Sequence, residues 1–170
     1  MIIRELSPAD QPRLSRTLTS SWGSTRMARM RELLDITDLH GLVAVEGDEW
    51  LGYASYRIDP GSMEIAVLES LRTNRGIASA LVARCVSVAL KRPLERLWLI
   101  TTNDNLHALR FYQRRGFVLV ALHRGNATWA RQHLKPEIPA QGLDDIPIRD
   151  ELELELPRAV WPDFVARYGV

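Results

Sequence analysis

The hydrophobic positions of the chain change period several times, from the helical repeat of about 3.6 residues to the two-residue repeat of a strand, and each change predicts an element. "MIIRE" is a short apolar strand, after which Ser7 as N-cap and Pro8 in the first turn predict a helix to about Ser20. A weaker helical pattern in "TRMARMRELLDI", residues 25–36, predicts a second helix. Three strand-like runs follow, "GLVAVE", "WLGYASYRI" and "MEIAVLES". The connections "GDE" and "DPGS" are short and rich in turn formers, so the three runs are expected to form an antiparallel meander.

From about Gly76 to Lys91 the pattern is that of an amphipathic helix lying on a sheet. Ile77, Leu81, Cys85 and Val88 make one stripe, Ala78, Val82 and Ala89 widen it, and Arg84, Ser87 and Lys91 make the wet face. After Pro93, "RLWLITT" is a nearly all-apolar strand, the pattern of burial on both faces. "TTNDNLHALRFYQRRGF" then predicts a helix ended by Gly116, and "FVLVAL" a further strand. Residues 124–146 form an excursion with Pro and Gly and one helical turn in its first half. "ELELEL" alternates, so Leu152, Leu154 and Leu156 are expected to face a core, with Glu151, Glu153 and Glu155 facing water and discouraging edge pairing. In the tail, Trp161, Phe164, Val165 and Tyr168 recur at helical spacing and Gly169 is the stop.

Composition narrows the class. With 170 residues, 46% hydrophobic and 25% charged, the chain reads as a single α/β or α+β domain over 1–170, with an insertion at 124–146 and a tail at 157–170. A net charge of +1 implies no polyelectrolyte attraction to nucleic acid or to an anionic membrane. No run approaches the roughly 18 apolar residues of a membrane span, and "MIIRELSPAD" has no apolar targeting segment, so a cytoplasmic protein is expected. Cys85 is the sole cysteine and reads as a buried small hydrophobe. His40, His107, His123 and His133 show no close ligand spacing, so no metal is expected. "NAT" at 126–128 matches a glycosylation sequon by chance.

Two constellations carry chemistry. At about 100° per residue, Asn105, Ala108 and Tyr112 fall within about 60° of one another, with the amide and the phenol roughly 10 Å apart along the axis. Asn103 or Asp104 is expected to cap this helix and leave Asn105 free; the plainer alternative has Asn105 as the cap and Tyr112 as an anchor to the sheet. In the second constellation, "LRTNRGIAS" leads from a strand into the helix near Gly76. Backbone N–H groups there open onto a helix N-terminus, an arrangement that binds anions, with Arg75 adding charge. Arg110, Arg114 and Arg115 complement the end of their helix rather than form a nucleotide patch, with Arg110 and Arg114 on its solvated side beside His107.

These residues resemble the GNAT superfamily of N-acetyltransferases over roughly residues 2–123 and the strand at 148–156. The family's acetyl-CoA loop, (Q/R)xxGx(G/A), is similar to Thr73-Asn74-Arg75-Gly76-Ile77-Ala78 in its last three positions; Thr73 stands where Gln or Arg is usual, and Arg72 is available to substitute. The family's later signature matches Asn105, Ala108, Phe111, Tyr112, Gly116 and Phe117. The resemblance implies a three-layer α/β fold, with a mixed, mostly antiparallel twisted sheet of six or seven strands flanked by helices and splayed open where acetyl-CoA binds. It implies that Asn105 holds the pantetheine arm over Ala108, that Tyr112 faces the thioester sulfur, and that backbone groups around Val67 and Leu68 bind the arm and the acetyl carbonyl.

The reaction implied is direct attack of a primary amine on acetyl-CoA in a ternary complex. Tyr112 is the candidate acid and Glu64 the candidate base, with Glu69 or a water chain as alternatives; a Glu paired with a surface Arg is the plain reading of Glu64. The acceptor, a small-molecule or peptide amine, is not specified, and Lys135, Glu137 and Arg149 are the residues of the excursion and its far end to inspect for it. Alternatively, "KPEIP" is only a rigid connection. The terminal helix either covers the core or makes a homodimer contact. The rival from another class is an acyl-CoA-binding sensor or interaction module without turnover.

Overall fold

The computed structural model describes residues 1–73 and 75–169. In chain order the strands are β1 (Ile2–Glu5), β2 (Arg26–Arg29), β3 (Glu32–Asp35), β4 (His40–Glu46), β5 (Glu49–Asp59), β6 (Ser62–Ser70), β7 (Arg96–Thr102), β8 (Val118–His123) and β9 (Glu151–Leu156). The helices are α1 (Gln11–Trp22), α2 (Ile77–Leu90), α3 (Leu106–Gln113), α4 (Asn126–His133) and α5 (Trp161–Tyr168). Mixed α/β structure with mostly antiparallel pairing is therefore observed, as the family resemblance implies. The chain divides into two compact units, one made of residues 1–25, 36–97 and the segment from Arg158, the other of residues 26–35 and 98–157.

In the first unit the strand order is β1-β4-β5-β6, all antiparallel, and the predicted meander is present. Entry to α1 is fixed at Asp10, whose carboxylate accepts from Arg4 Nη1 (2.7 Å) and Nη2 (2.8 Å) and from the Ser7 N–H (2.8 Å) and hydroxyl (2.7 Å). A 3-10 turn over Pro8–Asp10 precedes the α-helix, which runs two residues beyond the predicted end. On α2 the apolar stripe is buried, Cys85 included, and burial pushes its thiol up to about 12. The helix lies close on β5: a Cβ on Gly52 would meet the Glu69 carbonyl oxygen at 2.6 Å and Ile77 Cγ2 at 2.8 Å, so this position takes only glycine. Trp161 and Phe164 of α5 are buried, and α5 packs along α2.

In the second unit β9 lies between β7 and β8. Three sequence expectations fail here. Residues 25–36 are not a helix but the β2–β3 hairpin, turning through Met30 (φ 47°) and Arg31 (φ 61°). Such a turn costs energy for residues other than glycine. It is held by partners far away in sequence: the Met30 N–H donates to Glu151 Oε2 (2.9 Å), and Arg31 Nε donates to Asn126 Oδ1 (3.1 Å) while its guanidinium lies over Trp129 (5.2 Å).

The same contacts overturn the reading of "ELELEL". Glu151 is 2% exposed and accepts also from Asn126 Nδ2 (3.1 Å), and Glu153 is buried against His123 Nε2 (2.7 Å). Leu154 and Leu156 are buried as expected, but Leu152 is not. Alternation marks two different faces; it does not say which is wet. Here the polar face is covered by donors from β8, α4 and the hairpin. The excursion holds two helical turns, not one, and Asn126, the sequon asparagine, is buried with both amide atoms engaged.

Candidate active site

The proposed site residues fall into two groups. Glu64, Val67, Leu68, Arg72, Thr73, Arg75, Gly76, Ile77 and Ala78 belong to the first unit, and Asn105, Ala108 and Tyr112 to the second. Asn74 lies outside the described residues.

In the first group, β6 leads through the loop into the N-terminus of α2. Gly76 takes the left-handed conformation (φ 71°), which glycine adopts without cost, and among the described residues nothing lies within 4 Å of the point to which a Cβ would project. The N-cap of α2 is Gly76, which has no side chain to offer the helix. Its first N–H groups, which have no acceptor inside the helix, therefore open forward beside Gly76. The two arginines of the loop are engaged with acids of the meander: Arg75 Nη2 with Glu46 Oε1 (3.0 Å) and Arg72 with Glu49. Arg75, through its hydrogen bond and its charge, holds the Glu46 carboxyl below the usual range. Both pairs are exposed, so an arriving phosphate can draw either guanidinium away at small cost.

Upstream on β6 the register slips. Ser55 faces Val67 and Tyr56 faces Ile65, so Ala66 is the extra residue of a β-bulge next to Val67, a feature the sequence did not announce. On the strand face that holds Val67, two acids meet β5. Glu64 is 1% exposed, lies opposite Arg57 and pairs with its Nη2 at 3.5 Å. Glu69 lies opposite Tyr53 and accepts from Tyr53 Oη (2.6 Å), Trp22 Nε1 (3.1 Å) and Ser21 Oγ (2.7 Å). Burial, and then the hydrogen bond to this carboxylate, push the Tyr53 phenol far up, so it stays a donor. Tyr53, Ser21 and Trp22 were not legible as site residues; the pairing register of the meander is what sets the phenol against Glu69.

In the second group, Asn105 is itself the N-cap of α3, its Oδ1 accepting from the Ala108 N–H at 3.1 Å. That corrects the expectation that Asn103 or Asp104 caps and Asn105 is free. Asn103 instead ties the segment before β9, its Oδ1 accepting from the N–H groups of Arg149 and Asp150 and its Nδ2 donating to the Pro147 carbonyl. Asp104 is buried and accepts from the Leu143 N–H at 3.0 Å. Only the carbonyl half of Asn105 is spent on the cap, and among the described residues the amide nitrogen has no hydrogen-bond acceptor. Tyr112 is 8% exposed, with its ring edge-on to Phe111 and tilted against Phe117, both at 5.1 Å between centroids. Arg110, Arg114 and His107 are solvated as predicted. Lys135 donates to the Arg26 carbonyl (2.7 Å), and burial lowers its pKa; Arg149 and Glu137 are exposed.

The profile of the acetyltransferase (GNAT) family matches residues 7–117. The chain belongs to the GNAT acetyltransferase family. The uncharacterized protein YxbD of Bacillus subtilis is 38% identical to this acetyltransferase over 134 residues, covering 78% of this chain and 84% of that one. Among solved structures, a GNAT family acetyltransferase from Elizabethkingia anophelis with acetyl-CoA bound is similar at a TM-score of 0.64, with 16% identity over 92% of this chain and 97% of that one. A Bacillus subtilis acetyltransferase in complex with CoA is similar at the same TM-score of 0.64, with 19% identity over 91% and 97% of the two chains. Among the described residues of this acetyltransferase, no three His, Cys, Asp or Glu side chains gather as a metal-ligand set, and no helix is long and apolar enough to cross a membrane.

Proposed function

We propose that this acetyltransferase moves an acetyl group from acetyl-CoA to a primary amine by direct attack within a ternary complex. The observation that carries the reading is the start of α2 behind a left-handed glycine N-cap, Gly76, where among the described residues nothing fills the space a side chain would take. The pyrophosphate of the donor belongs at these N–H groups, with Arg72 and Arg75 exchanging their glutamates for phosphate oxygens. Ile77 and Ala78 contribute backbone N–H groups, and Thr73 the hydroxyl at the position where the family has a longer side chain. Asn105 uses its remaining amide N–H to hold the pantetheine arm along Ala108.

A backbone N–H beside the bulge, at Val67 or Leu68, stabilises the oxyanion, a preorganised contact typically worth about 3 kcal/mol. Tyr112 donates to the departing sulfur. An ordinary phenol near 10 giving its proton to a thiolate near 8.5 is uphill by about 2 kcal/mol, so much of its contribution is the hydrogen bond itself. Glu64 takes the amine proton through a water, since only 1% of it is exposed.

The test is release of free CoA thiol from acetyl-CoA across a panel of primary amines. Tyr112→Phe is expected to lower kcat much more than it weakens acetyl-CoA binding. Unchanged turnover removes Tyr112 from the mechanism. Acetyl-CoA binding without release for every amine supports the sensor instead.

A further inference from the structure

The acids along the meander are treated differently by their surroundings. Glu46, Glu49 and Glu64 each pair with an arginine, respectively Arg75, Arg72 and Arg57. Glu69 does not: its partners are the neutral Ser21, Trp22 and Tyr53, and among the described residues no cation is in ion-pair contact with it. Three neutral donors fix the direction of a carboxylate without cancelling its charge. The two oxygens have about four lone-pair sites between them, so one remains for a further donor.

The surroundings of that free site favour a positive charge from two more directions. Trp22 and Ser21 are the last residues of α1, which ends at Gly23 (φ 73°), and both side chains bond Glu69, so the carboxylate is held at the negative end of the helix dipole. Trp22 is 46% exposed and spends its ring N–H on Glu69, which sets beside the carboxylate a half-exposed indole, the ring system on which cations dock best. A carboxylate aimed by neutral donors, a helix C-terminus and a half-exposed indole together make a cation subsite.

We propose that Glu69 and Trp22 bind a second, non-reacting positive charge on the acceptor, so that the preferred substrate is a diamine or another amine with a basic group at its far end. This inference rests on the amine-acetylating reading above, which places the reacting amine near Val67. Glu69 is two residues further along β6, on the same face as Val67. The spacing between the two is therefore about 7 Å, close to the length of a four- or five-carbon diamine. A charge arriving there needs no arginine to be displaced, unlike one arriving at Glu46, Glu49 or Glu64.

The experiment compares kcat/KM for four- and five-carbon diamines with that for the amino alcohols of the same length, which keep the reacting amine and lose the second charge. The wild-type protein is expected to prefer the diamines by about tenfold or more, mostly in KM, and to lose that preference as salt is raised. Glu69→Gln is expected to abolish the preference by raising KM for the diamines to that for the amino alcohols, while the ratio of their kcat values stays that of the wild type. Trp22→Phe, which keeps an aromatic face and loses the N–H, is expected to reduce the preference in part. Equal rates for diamine and amino alcohol in the wild type overturn the proposal, as does a Glu69→Gln variant that slows both alike. Circular dichroism and acetyl-CoA binding establish that each variant is folded. If no amine is acetylated at all, the amine-acetylating reading fails, and calorimetric titration of the five-carbon diamine then decides the subsite: binding that Glu69→Gln removes supports it, and no binding to the wild type overturns it.

Discussion

Asn105 carries two roles that can be separated by substitution. Its Oδ1 caps α3 at 3.1 Å from the Ala108 N–H, and its amide nitrogen is proposed to hold the arm of acetyl-CoA. Helix α3 has eight residues, well short of the roughly 12–15 at which a helix is marginally stable alone, so its end depends on such contacts. Asn105→Ala removes both groups. The lost cap costs about 1 kcal/mol, which for a protein of this size lowers the melting temperature by about 2–4 °C. The lost N–H costs about 1 kcal/mol of donor binding, a weakening of about fivefold. Asn105→Ser restores a cap oxygen but no amide, so it is expected to melt within about a degree of wild type and still to bind acetyl-CoA about fivefold more weakly. Differential scanning calorimetry and isothermal titration with acetyl-CoA measure the two quantities on the same samples. If Ser melts as low as Ala, the cap is not what Asn105 contributes to stability. If both variants bind like wild type, the amide has no part in holding the donor.

Two further outcomes follow from the packing. Because Arg4 and the Ser7 groups lower the Asp10 pKa in the folded state, the stability they confer is present above the unfolded value near 3.9 and is lost as pH falls through the folded one. Asp10→Asn is therefore expected to lose about 1–3 kcal/mol at pH 7 in urea titrations, with the gap to wild type closing below about pH 4; a gap that persists at low pH refutes the linkage. Glu151→Leu leaves the Met30 N–H and the Asn126 amide without their buried acceptor and is expected to cost about 1–3 kcal/mol for each, whereas Glu151→Gln keeps an acceptor oxygen and loses less; a Leu variant as stable as wild type in the same titration returns Glu151 to a solvated face.

The amino-acid sequence by itself determined those features that follow from local periodicity. The meander, the apolar stripe of α2, the both-faces-buried strand β7, the terminal helix and the position of Gly76 at the start of α2 all depend on residues close together in the chain. The family motifs were legible for the same reason, since their spacing is a helix spacing or a loop length. The tertiary structure decided the features whose partners are distant. A helical pattern in residues 25–36 became a hairpin because Glu151 and Asn126, about a hundred positions away, supply what its left-handed turn requires. Glu151 and Glu153 of β9 were buried because donors from other elements cover them. Asn105 became the cap because Asn103 and Asp104 are occupied by residues 143–150. Glu69 acquired its neutral donors from the register of β5 against β6 and from the end of α1. Periodicity reports which positions share a face, whereas the charge state and hydrogen bonding of a side chain depend on whatever the rest of the chain lays against that face.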